Sequence, residues 1–170
     1  MLEPAPLLMS RQLTAADAKQ SLIEHVAARG AEVCLRYGPV LSWDGLARLL
    51  EDRRFVRYPC EVVFDASRLM EGEIGHPEPK GELPEQGFTM YVHPAFATNR
   101  DEAVAIVLYQ LVVVNYGEFA AADEAESFGA AALGIGRDDY YAMLCEVADR
   151  VGESPTEVAA EACGGGCCGN

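Results

Sequence analysis

Positions 103–114 read Ala-Val-Ala-Ile-Val-Leu-Tyr-Gln-Leu-Val-Val-Val, and Gln110 is the one strongly polar side chain among them. A helix that is apolar on every side has no face to give to water, so it belongs at the centre of a domain with other elements packed around it. Thr98 or Asn99 is the expected cap. Asp101 and Glu102 fall in the first turn, where the helix dipole favours negative charge, and Asn115-Tyr116-Gly117 ends the run. The run is shorter than the roughly 20 helical residues that cross a bilayer, so it predicts a core helix and no membrane partner. Inside such a helix Gln110 must find hydrogen-bond partners, since an unpaired amide costs about 1 to 3 kcal/mol. Tyr109, Asn115 and Tyr116 are the nearby choices, and a ligand amide is the sharper alternative.

The elements around this helix follow from local signals. Thr14-Ala15-Ala16-Asp17 reads as a capping box, and Ala18, Leu22, Val26 and Ala27 keep helical spacing as far as Arg29-Gly30. Residues 31–37 fit either a strand or a resumed helix. Ser42 caps a short helix with Trp43, Leu46, Leu49 and Leu50 facing inward. Residues 60–65 and 88–93 are rich in β-branched and aromatic side chains and predict strands. Between them the glycines and prolines of 71–87 argue for a long irregular loop. Residues 55–59 are either an exposed docking strand or the lead-in to the sheet. A helix over 121–133 places Asp123, Glu124 and Glu126 on the wet side and Ala125, Phe128 and Ala132 inside. Another, from Asp138, puts Tyr141, Leu144, Cys145 and Ala148 on one stripe. The order predicts an α+β fold, a small antiparallel sheet packed on a buried central helix and further helices. At 170 residues there is room for an N-terminal arm (1–12), one globular domain (13–152) and a tail (153–170).

Charge and cysteine usage narrow the partners. The formal charge of −14 repels nucleic-acid phosphates and anionic lipid, so neither is expected as a partner. The N-terminal stretch lacks the basic start of a secretory signal, and the cysteines are not spread along the chain like a disulfide framework. A reducing, cytoplasmic setting is the expectation.

The chemistry-bearing signal is the tail. Ser154-Pro155-Thr156-Glu157 is a strong helix start, and the helix can run only to Cys163, because Gly164-Gly165-Gly166 follow. Cys167 and Cys168 come next. Three thiols in a Cys-x3-Cys-Cys pattern separated by permissive glycines can converge on one soft ion, Cu(I) or Zn. Glu157, Glu161 and the helix C-terminus disfavour thiolates yet favour a bound cation, which suits a metal ligand better than a nucleophile. Cys163, Cys167 and Cys168 leave tetrahedral zinc one ligand short, so a second copy of the chain or a protein partner would complete the site. Thiol exchange with a partner is the alternative use of the same residues.

The middle of the chain, roughly residues 60–135, resembles the small zinc-metallopeptidase (minimal zincin) pattern. The match rests on the strand Gly87-Phe88-Thr89-Met90-Tyr91-Val92-His93-Pro94, the helix with Val107-Leu108-Tyr109-Gln110-Leu111-Val112-Val113, and the segment Ala122-Asp123-Glu124-Ala125-Glu126-Ser127-Phe128-Gly129. The resemblance implies an H-E-x-x-H helix and an acidic third ligand. Here Tyr109, Gln110 and Val113 stand in the helix instead, and they can neither hold zinc nor activate its water. Glu124 or Glu126 falls in the third-ligand region. What the resemblance then implies is a scaffold without the reaction, a pseudoenzyme.

Two other classes remain open. The body would be an adaptor, docking a protein through its acidic loop (Glu73, Glu78, Glu82, Glu85) with the thiols incidental. Alternatively it is an enzyme with a site in the 71–93 region using His76, His93 or nearby carboxylates, with Cys60 as a further candidate in a mixed cluster. His25 is expected to flank the first helix's apolar face. No nucleophile elbow, phosphate loop or dinucleotide fingerprint occurs.

Overall fold

The computed structural model describes residues 14–152, so the arm and the tail lie outside it. Among the described residues the architecture is α+β, five α-helices and a three-stranded sheet.

Helix α1 (Ala15–Tyr37) starts on the expected capping box. The Thr14 hydroxyl accepts from the Asp17 N–H at 3.1 Å, and the Asp17 carboxylate accepts from the Thr14 N–H at 2.9 Å. Gly30 does not end the helix, and residues 31–37 continue it. A Cβ at Gly30 would run into the Phe128 carbonyl of α4 (Ala122–Leu133), so this glycine lets two helices cross closely. The helix stops at Gly38, whose φ of 88° is one that other residues avoid. Helix α2 (Trp43–Glu51) is capped by Ser42, as expected.

The strands are β1 (Cys60–Phe64), β2 (Gly75–Pro79) and β3 (Phe88–Val92), in the order β1-β3-β2. The sheet is mixed, which corrects the antiparallel expectation. β1 runs parallel to β3, while β2 pairs with it antiparallel. The connection 65–87 is long enough for the crossover that parallel pairing needs. It also holds β2, where a loop was expected. Pro77 and Pro79 lack N–H groups, but β2 is an edge strand, and an edge can leave those positions unpaired. Residues 55–59 are the lead-in to β1: Phe55 and Val56 are buried, and Asn115 ties the segment down. Its Nδ2 donates to the Phe55 carbonyl and its Oδ1 accepts from the Arg57 N–H, both at 2.8 Å.

Helix α3 (Arg100–Tyr116) is the central element. The sheet, α2, α4 and α5 (Arg137–Gly152) all contact it, and Ala103 to Leu108, Leu111, Val112 and Val114 are buried. With the turn to Phe119 it has the length and apolarity of a bilayer-crossing helix, but about half of that stretch is covered by its own protein. Asn99 sits at the cap position without a side-chain cap bond. Asp101 instead caps α2, accepting from the Trp43 N–H at 2.7 Å. Glu124 is not on the wet side: it is 1 % exposed and accepts from the Ala121 N–H at 2.9 Å, closing the start of α4. The stripe expected to bury α5 is likewise shifted. Tyr140 and Val147 face the core, and the Tyr140 hydroxyl donates to the Ala105 carbonyl at 2.6 Å. Gly129 makes room for that ring, since any Cβ there would collide with it.

Candidate functional site

The stripe of α5 that carries Tyr141 builds one of two largely apolar concavities along this helix. Tyr141, Leu144, Cys145 and Ala148 form one wall of a groove of about 230 Å³, and Ile74, Ile106, Tyr109 and Gln110 form the other, with Glu126 at one end. Gln110 owes its place to β2. Its Nε2 donates to the Gly75 carbonyl at 2.7 Å, so the amide's partner is a backbone oxygen of the neighbouring strand rather than Tyr109, Asn115 or Tyr116. Gly75 is required there, because a Cβ would press into Ile106.

The polar end of the groove is an ion-pair chain. Arg137 reaches Glu126 at 2.7 Å and Asp123 at 2.5 Å, and Lys19 of α1 reaches Asp123 at 2.7 Å. The hydrogen bond from Lys19 and then that from Arg137 hold the Asp123 carboxyl down at about 2. Burial raises the Tyr109 hydroxyl, and the Glu126 charge adds to it. Tyr141 is 56 % exposed, and its hydroxyl is raised chiefly by hydrogen bonding to the Cys145 thiol.

A second concavity of about 400 Å³ lies on the other flank of α5. Its apolar lining includes Val40, Leu41, Leu133, Ile135, Met143 and Val147, and Asp101, Glu102 and Glu146 line it too. Arg150 also lines it, pairing with Glu102 at 2.8 Å. No family model, curated protein or solved structure matches this chain. The chemistry of the two concavities therefore stands on their own residues.

The body residues singled out in the sequence do not gather. Cys60 pairs with Phe88 at one end of β3, whereas His93 follows its other end. Exposed His76, on edge strand β2, lies 4.0 Å from Glu73. The His93 Nδ1 accepts from the Ala95 N–H at 3.3 Å, and its ring meets Phe96 edge-on. His25 is edge-on to Tyr116 with ring centres 5.9 Å apart. Among the described residues no three His, Cys, Asp or Glu side chains come together as a metal would require. Cys34, Cys60 and Cys145 are free thiols, and burial pushes Cys60 up to about 11. Tyr109 and Gln110 share the groove with Glu126, while Glu124 is spent on the α4 cap. Cys163, Cys167 and Cys168 lie outside the described residues. The sequence groups Tyr141, Leu144, Cys145 and Ala148 on one stripe, but nothing in it shows the wall that faces them.

Proposed function

We propose that the chain is a non-catalytic metal-handling protein: Cys163, Cys167 and Cys168 bind one soft ion, Cu(I) or Zn(II), and the α+β body carries them. The observation behind this reading is the Cys-x3-Cys-Cys sequence, with three glycines between the first thiol and the pair. Thiolates are soft donors and discriminate against Mg and Ca. The surrounding acidic residues favour a cation over a free thiolate. Cys60 is held as a neutral thiol by burial, and the Gln110 amide is engaged by Gly75. On this reading the body is a metallopeptidase-like scaffold with Tyr109, Gln110 and Val113 in place of ligands.

The test is a titration of reduced, metal-free protein with Cu(I) and with Zn(II), beside a full-chain variant carrying Cys163→Ser, Cys167→Ser and Cys168→Ser. The expected outcome is one tightly bound ion per chain, or per pair of chains, that the variant loses. Equal stoichiometry in both proteins overturns the assignment.

A further inference from the structure

The α5 wall of the apolar groove repeats at i, i+3, i+4 and i+7 (Tyr141, Leu144, Cys145, Ala148), the spacing of a helix face prepared for a partner helix. The chain that leaves α5 supplies a match. In 154–163, Ser154 and Pro155 signal a helix start. Pro155, Val158, Ala159 and Ala162 then recur at the same spacing, while Glu157 and Glu161 fall on the opposite face. We infer that the groove is the seat of this segment, folded back from Gly152 as an antiparallel helix.

Length, size and charge agree. Only Glu153 and Ser154 separate the end of α5 from Pro155, and a connection that short joins antiparallel helices. At 1.5 Å per residue the segment climbs about 12 Å from Pro155 to Cys163, and α5 descends about 10 Å from Gly152 to Cys145. Cys163 therefore comes level with Cys145. Alanines at two of the four apolar positions suit a shallow groove of about 230 Å³. The other flank is less suited, because at the same spacing α5 presents Met143, Glu146, Val147 and Arg150 there, and two of those four are charged side chains set against an apolar face. In the chosen groove the one charged lining residue, Glu126, is already paired with Arg137.

One consequence rests on the proposed metal site: Cys145 becomes the fourth thiolate, completing with Cys163, Cys167 and Cys168 the tetrahedral set that zinc prefers. No second chain is then required. The docking itself is tested without metal. In reduced, metal-free full-length protein, the rate at which iodoacetamide alkylates Cys145 is followed by peptide mass spectrometry, beside a Val158→Asp/Ala162→Asp variant whose changes lie outside the body. Docking predicts alkylation about tenfold slower in the unmodified chain, since the thiol reacts only when the segment opens. Equal rates, or protection that grows with protein concentration and so comes from a second copy, overturn it. Protection retained in the Cys163→Ser, Cys167→Ser, Cys168→Ser variant upholds docking even where the metal assignment fails. Metal bound by the tail while Cys145 alkylates freely overturns docking alone. Zinc affinity unchanged by Cys145→Ser overturns the fourth-ligand role.

Discussion

The seam between α1 and α4 and the seat of α5 are built by opposite means. α1 and α4 are the most extensively contacting pair of helices, and they meet through small residues. Val26, Gly30 and Val33 recur along one face of α1, and Gly30 lies against the Phe128 carbonyl, Ala131 and Ala132 of α4. Gly30 brings backbone against backbone and leaves no room for a side chain. α5 is instead anchored by large side chains, Tyr140 above all, and has a concavity on each flank. The first arrangement closes a surface. The second holds a helix firmly while leaving one of its faces available, which is what a docking element needs.

Removing the anchor should have the largest effect. Tyr140→Ala deletes a fully buried ring together with its hydroxyl's bond to the Ala105 carbonyl, at a cost of about 4 kcal/mol. Because the ring serves α5, amide hydrogen exchange should accelerate first in residues 137–152, with α1 and α4 keeping their protection. Uniform acceleration across all helices would mean that the two regions are one cooperative unit. The seam should respond in the other way. Gly30→Ala gains about 1 kcal/mol of helix propensity, but the new methyl presses on the Phe128 carbonyl, a backbone atom that cannot swing aside. Overpacking of that kind costs about 3 kcal/mol, for a net loss near 2 kcal/mol. Denaturant melts should show it as a lower midpoint with an unchanged slope, and exchange should rise in α1 and α4 together. A neutral or stabilising outcome would show that the helices can part freely, and the contrast with α5 would lose its basis.

These same contacts explain what the sequence disclosed and what it hid. The all-apolar run of α3 announced the centre of the fold, and Thr14/Asp17 and Ser42 announced two helix starts, because each signal lies within one turn of chain. Gly30 read as a stop because its reason is Phe128, far away in sequence. The burial of Tyr140 was hidden for a similar cause: its ring fits only where Gly129 leaves a hollow, and no local pattern reports that vacancy. β2 was hidden by Pro77 and Pro79, which only an edge position accommodates. Gln110 was recognised as needing a partner, yet its partner, Gly75, sits on that unseen strand. The groove is the sum of these hidden terms. Its residues were visible one by one, but their meeting was not.

The smallest effect concerns the chain of charges that links the seam to the groove. Asp123 is bridged by Lys19 of α1 and by Arg137 at the start of α5, so it spans both regions. Its carboxyl is held down at about 2, whereas an unfolded chain leaves an aspartate near 3.9. A depressed acid stabilises the fold fully above the unfolded value, and that contribution fades as pH falls through the folded one. The window is therefore about pH 4 down to pH 2. Asp123→Asn removes the titration, so acid unfolding followed by circular dichroism should show a shallower loss of stability across that window, with only a slight difference at pH 7, because the pair is solvent-screened. Added salt should shrink the difference further. If the variant and the unmodified chain lose stability in parallel between pH 4 and pH 2, the bridge does not couple α1 to α5, and the two regions respond to acid through other carboxylates, Asp52 beside Arg54 foremost among them.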